Sequence, residues 1–218
     1  IRAFILVCAA RAARGNNHDH NSMLIHVTRF VNVQAKITEL VWSELRDLQN
    51  RIRYGDGAST LPILTELETM WHDQFEPVSE QVRVLDPELS IDCIPVGWSE
   101  VQEHLISSSQ RIQIKTINGS AQDALDYWDH PDGLSAIAIG GDKLSRGLTL
   151  EGLSISYYLR ASRMYDTLLQ MGRWFGFRPG YVDLCRLYTS EELIEFYSHI
   201  TLATEELKQD FDIMADRG

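Results

Sequence analysis

Five short runs decide what this chain can fold into: MLIHVT at 23–28, RIQIKTI at 111–117, LSAIAIG at 134–140, LSISYYL at 153–159 and YVDLCRLY at 181–188. Each is rich in β-branched, aliphatic or tyrosine side chains and is shorter than a typical helix. RIQIKTI alternates and ends at Asn118-Gly119, a turn pair. LSAIAIG is apolar apart from Ser135 and opens into Gly140-Gly141. A strand that is apolar on both faces has to be covered on both faces, which is the habit of a parallel sheet between helices. Parallel neighbours then need right-handed crossovers. The predicted fold class is therefore α/β, a parallel sheet flanked by helices.

The segments between the strands carry helical spacing. Residues 1–14 read as a helix with Phe4, Ile5, Val7, Cys8 and Ala12 near one face, stopped by Gly15, Asn16 and Asn17. Phe30 to Arg53 reads as a long amphipathic helix, with Val33, Ile37, Leu40, Val41, Leu45, Leu48 and Ile52 in its apolar stripe. GDGAST at 55–60 is a loop, and 61–108 is mostly helical with breaks at Pro77, Pro87 and Pro95. Short helices are expected at Ala121 to Asp129 and at Tyr165 to Phe177. Thr189 or Ser190 caps a last helix whose first turn holds Glu191 and Glu192.

Composition narrows the function classes. The 218 residues suffice for one large domain, or for a domain with a sizeable insertion. With 20 basic and 31 acidic residues the net charge is −11, so any grip on nucleic acid has to be local. The acids gather at Glu66 to Glu103 and Glu191 to Asp216, which reads as solvated helix surface. Cys8, Cys93 and Cys185 form no CxxC pair, which argues against zinc and for small core residues in a cytoplasmic protein. No apolar run approaches the roughly 20 residues a membrane helix needs. The chain starts at Ile1 in the middle of a helical pattern, which reads as a piece of a longer protein.

Two segments stand apart from core-and-loop writing. In GGDKLSRGLTLEG, 140–152, a buried strand opens into glycines, an Asp, an Arg-Gly pair and a Glu-Gly pair. Glycines at a strand end let backbone approach a ligand, and ligands of open α/β sheets sit beyond the carboxyl ends of the strands. In YDTLLQMGRWFGFRPGY, 165–181, Arg173 and Arg178 sit among Trp174, Phe175 and Phe177. A planar guanidinium held among aromatics suits phosphate oxygens, and it equally suits a helix packed on a sheet.

Taken together and in this order, these segments resemble motifs V and VI of superfamily II helicases, with SMLIHVTR (22–29) where motif IV falls. The resemblance is closer to the Z1 domain, described for endonuclease or helicase-like ATPase proteins. It rests on SMLIHVTR, INGSAQDALDY (117–127), AIAIGGDKLSRGLTLEGLSISYYLR (136–160) and YDTLLQMGRWFGFRPGYVDLC (165–185). The resemblance implies a second RecA-like lobe across 1–218, with a helical insertion at about 55–108. It implies nucleotide-binding or coupling roles for Gly141, Asp142, Arg146, Gly147, Gln170 and Gly172. Arg173 and Arg178 become arginine-finger candidates, and Thr28 and Arg29 contacts to a nucleic-acid backbone, DNA rather than RNA. ATP with Mg2+ would be held mainly by an N-terminal RecA-like lobe of the same parent protein, since no GxxxxGK[ST] loop occurs in this sequence. The fragment alone should then be inactive. Two departures stand out: Arg173 and Arg178 are five residues apart where the family's motif has three, and Thr149 stands where an Asp is usual.

Two other functions stay open from the sequence. A magnesium-dependent endonuclease would need carboxylates beside a lysine, and Asp92 with Gln113-x-Lys115 is the nearest approach, with Gln in place of the usual Glu. Lys115 reads better as an edge or surface residue of its strand. A lobe that keeps the fold only as a scaffold is the other. His18-Asp19-His20 has no evident third ligand and reads as a mobile loop, not a metal site.

Overall fold

A computed structural model of the chain describes residues 1–28, 30–57, 61–88, 90–117, 125–141, 149–159 and 178–217. Five strands form one sheet in the order β2-β3-β1-β4-β5. They are β1 (Asn21–His26), β2 (Ile112–Ile117), β3 (Ser135–Gly140), β4 (Leu153–Tyr158) and β5 (Arg186–Tyr188). Every described pairing is parallel, as the doubly apolar strands require. The α/β class expected from the sequence is the fold observed.

Alternate residues divide between two cores. Met23, Ile25, Ile137, Ile139 and Ile155 face a first layer of helices. Leu24, Ala136, Ala138, Leu153 and Tyr158 face the other side, where Leu193 and Ile200 of the last helix pack. The first layer holds α1 (Arg2–Ala13), α2 (Val31–Tyr54), α3 (Ile63–Met70) and α5 (Trp98–Gln110). The last helix is α6 (Glu191–Arg217).

The helix at the chain start departs from its expected one-sided pattern. Every residue from Ala3 to Arg11 is buried. The sheet takes one side of α1, while α5 and α3 take the outer side through Val101, Leu105, Ile63 and Leu67. The helical region at 55–108 is thus part of the core and roofs α1. Within it Pro77 is no break. A π turn, Trp71–Phe75, joins α3 directly to α4 (Glu76–Leu85), and Pro77 lies in the first turn of α4, where a missing N–H costs little. The expected breaks at Pro87 and Pro95 are real, because α4 ends at Leu85 and α5 begins at Trp98.

Three further expectations shift. The first strand begins at Asn21 and ends at His26, two residues earlier than MLIHVT. Val27 and Thr28 leave the sheet because Gln34 Nε2 takes the Thr28 carbonyl at 2.9 Å and Thr28 Oγ1 takes the Phe30 N–H at 3.1 Å. YVDLCRLY is a strand only over its last three residues, since Val182–Leu184 coil into a 3-10 turn that points Asp183 inward. Of the helix expected at 121–129, residues 118–124 lie outside the described set, and Tyr127–Asp129 form a 3-10 turn. Between the two proposed caps the choice falls on Ser190, whose Oγ accepts the Leu193 N–H at 3.4 Å.

Candidate functional site

Because the strands are parallel, the segments that follow β1, β3 and β4 all start from one edge of the sheet. The chain leaves β1 for β2 at one side of the sheet and leaves β4 for β5 at the other. Neighbouring connections that diverge open a crevice beyond the strand ends, the usual ligand position in such sheets. Here the crevice lies between β1 and β4. At the ends of these two strands is a pair the sequence did not flag: His26 and Tyr158 are register partners, fully buried, with rings stacked 5.2 Å apart. Burial raises the pKa of Tyr158 above the ordinary tyrosine value, and Tyr197 of α6 beside it adds to the shift. The phenol therefore stays neutral.

Of the residues expected at the site, the structure describes Thr28, Gly141 and Arg178. Thr28 lies just past the end of β1, in the turn into the N-terminus of α2. Its Oγ1 accepts the Phe30 N–H, which leaves the hydroxyl proton to give to an anion. Gly141, buried, follows the last residue of β3, beside β1 in the sheet. Both occupy the carboxyl edge. Arg178 lies at the opposite edge: its Nε donates to the carbonyl of Leu153, the first residue of β4, at 3.1 Å. Arg29, Asp142, Arg146, Gly147, Gln170, Gly172 and Arg173 lie outside the described residues, as does the helix expected at 165–177.

The amino edge carries a second constellation, unrecognised in the sequence. Arg14, the residue that ends α1, forms a two-pronged ion pair with Asp183 at 2.9 and 2.5 Å, and both side chains are 1% exposed. Ser79 Oγ gives Asp183 a third bond at 2.7 Å. Burial alone would raise the Asp183 carboxyl, but Arg14 with Ser79 and Cys93 hold it below the ordinary value. Next to this pair, buried Arg11 donates to the His20 carbonyl (2.9 Å) and Asn21 Oδ1 (2.6 Å), and reaches Asp19 at 3.4 Å. Its guanidinium also stacks on Tyr181, 4.2 Å from the ring centre.

The loop His18-Asp19-His20 is accordingly not the mobile loop expected. His20 Nδ1 accepts the Leu134 N–H at 3.0 Å, and its ring lies 4.6 Å from Tyr127. Asp19 and the His20 carbonyl are held by Arg11. Among the described residues no three His, Cys, Asp or Glu side chains are grouped to hold a metal ion. Asp92 packs its backbone near Gly180, whereas Lys115 sits on the edge strand β2. Cys8 is the core residue expected, its thiol pushed up to about 12 by burial. Cys93 is half-buried beside the Asp183 carboxylate and not in an apolar setting; burial first, then that charge, raises its thiol.

The architecture and the strand-end segments lead to one comparison. Residues 1–218, the entire chain, match the family model described as the Z1 domain. This chain belongs to the Z1 domain family. No curated protein and no solved structure matches it. In this Z1 domain no described helix is long and apolar enough to cross a membrane.

Proposed function

We propose that this Z1 domain is the second, helicase-type lobe of a nucleic-acid-dependent ATPase, a DNA translocase or helicase of restriction or defence type. The observation that carries the reading is topological. The segment resembling motif IV runs through β1 to Thr28 at the carboxyl edge, Gly141 of the motif V segment follows β3 at the same edge, and the motif VI segment comes after β4 in the chain. In this reading ATP with Mg2+ is held by a first RecA-like lobe of the parent protein, and this lobe closes on it. Thr28 and Arg29 meet the nucleic-acid backbone, a sequence-independent contact suited to an otherwise acidic domain. Gly141 lets backbone come close at the motif V position, and Asp142, Arg146 and Gly147 couple the nucleotide to the strand. Gln170, Gly172 and Arg173 form the motif VI core. Arg173 is the finger that stabilises charge on the transferring phosphoryl group. Arg178 is the weaker finger candidate, because its Nε is committed to Leu153 at the amino edge.

The test is ATP hydrolysis by the full-length parent, with and without double-stranded DNA, for wild type, Arg173→Ala and Arg178→Ala. DNA should stimulate hydrolysis. Arg173→Ala should lower it by about a hundredfold or more, the scale of an arginine finger, and Arg178→Ala should leave most of it. A parent that hydrolyses no ATP, or an Arg173 variant as active as wild type, removes the motor reading. Cleavage of DNA that needs Mg2+ and is lost in Lys115→Ala would replace it with the nuclease.

A further inference from the structure

The two outer strands of the sheet are finished differently. β5 is three residues long, and its Arg186 is clamped over Phe75 (4.3 Å to the ring centre) and onto the Gln74 carbonyl of the π turn. It offers little edge to pair with. β2 is six residues long, and among the described residues it pairs only with β3. Such an edge presents a row of backbone N–H and C=O groups at strand spacing.

A groove of about 290 Å³ runs beside that edge, walled by Trp42, Arg46 and Gln49 of α2 and floored by Ile112 and Ile114. Trp42 is 54% exposed, an unusual placement for the largest side chain. Arg46 stands 5.1 Å over its ring centre. The acids between Trp42 and Gln49 are engaged elsewhere: Glu44 with Arg2 at 2.9 Å and Asp47 with Arg51 at 3.9 Å. Ile112 and Thr116 face the α2 side, through the first core and the Thr38 hydroxyl, so Lys115 projects on the opposite face. No described carboxylate pairs with Arg46 or Lys115. A chain of net charge −11 thus keeps a cation on each side of its open edge.

We infer that β2 is a strand-addition site for an extended, acidic segment of another polypeptide. The backbone edge supplies the ladder hydrogen bonds. Trp42 receives an apolar side chain, and Arg46 and Lys115 receive carboxylates on the two faces of the added strand. Lysine in the middle of an edge strand opposes pairing with a second copy of itself, which favours an acidic partner over self-association. A nucleic-acid backbone would satisfy the cations but not the alternating N–H and C=O row. The inference does not depend on the ATPase reading, since it concerns a side of the sheet and not its carboxyl ends.

The test uses the whole chain and a synthetic blocked peptide of repeated Val-Glu-Glu-Val units, which carries valine and glutamate on both faces of a strand, ¹³C-labelled at its carbonyls. Binding is read by the fluorescence of the chain, and conformation by the labelled amide band in the infrared. The peptide should bind and its band should move to the strand position. The same peptide N-methylated at every amide, which has no N–H left to donate on either edge, should bind at least about tenfold more weakly. Arg46→Glu with Lys115→Glu should weaken the parent peptide by a similar factor. Equal binding of the methylated peptide, no binding by either, or displacement of the peptide by a single-stranded thymidine oligomer would each overturn the inference. The last outcome would mark the edge as a phosphate-binding patch.

Discussion

At the amino ends of β1, β3 and β4 the loops are tied together by buried polar groups, whereas at the carboxyl ends of the same strands the described backbone runs through glycine and threonine. Arg11 with His20 and Asn21, and Arg14 with Asp183, tie the amino end, and the carbonyls of 19 and 20 stand where a side chain at Gly133 or Gly152 would have to go. The carboxyl end has small residues, Gly140, Gly141 and Thr28, and the buried, stacked pair His26 and Tyr158. The proposed function gives the two ends different tasks. A buried charge pair is costly to break and therefore holds geometry, while an end that receives ligand needs backbone that another molecule can approach. Mutations at the two ends should accordingly separate stability from activity.

The largest stability effect belongs to the Arg14–Asp183 pair. Asp183→Asn leaves Arg14 buried without its counter-charge and should cost about 3–5 kcal/mol of unfolding free energy by urea titration. Adding Arg14→Met should restore part of that loss, because the stranded charge is removed with its partner. The pair also sets an acid limb. The Asp183 carboxyl lies below its ordinary value when folded, so its stabilisation is complete above about pH 4, the unfolded carboxylate range, and fades as pH falls through the folded value. The gap between wild type and Asp183→Asn should narrow along that descent. A gap that is absent, or constant with pH, would break the contrast between the ends.

Next in size is Gly152, at φ +64, where an added Cβ would lie 1.7 Å from the His20 carbonyl oxygen. Gly133, at φ +81, would put its Cβ 2.6 Å from the Asp19 carbonyl oxygen. Backbone has to move in either case, and the left-handed conformation adds its own strain. Gly152→Ala should cost at least about 2 kcal/mol, and Gly133→Ala somewhat less, both read by denaturation. If either variant were as stable as wild type, the 18–20 loop would not be the rigid buttress its contacts describe.

What the sequence revealed and what it concealed divide along the same line. The four longer strands and α2 were legible because period and apolar runs are local properties. The Z1 resemblance was legible for the same reason, through glycines and arginines at fixed spacing. The amino-end network was not legible, since Arg14 and Asp183 are 169 residues apart and nothing near either announces a partner. Asp183 even distorted the strand reading, because a buried carboxylate in YVDLCRLY must turn toward Arg14 and spends that stretch on a 3-10 turn. Arg11 near the end of α1 and Arg14 just past it look like the polar side of a one-faced helix, yet both are buried, Arg11 under Tyr181 and the 19–21 loop and Arg14 against Asp183. The His26–Tyr158 pair was hidden likewise, each residue being an ordinary strand position until the register pairs them.

The smallest stability effect, and the sharpest test of the contrast, is expected at Thr28. Removing its hydroxyl in Thr28→Ala deletes one exposed bond to the Phe30 N–H. That turn keeps its other tie, from Gln34 Nε2 to the Thr28 carbonyl, which the substitution does not touch. The loss should stay within about 1 kcal/mol, the range of a single capping-type bond. In the full-length parent, however, the same hydroxyl is proposed to meet the nucleic-acid backbone. DNA-stimulated ATP hydrolysis should then need several-fold more DNA to reach half its maximum, with the basal rate unchanged. Wild-type DNA dependence in Thr28→Ala would leave Thr28 as a turn residue only. A stability loss as large as that of Asp183→Asn would mean that the carboxyl end, too, is a structural buttress.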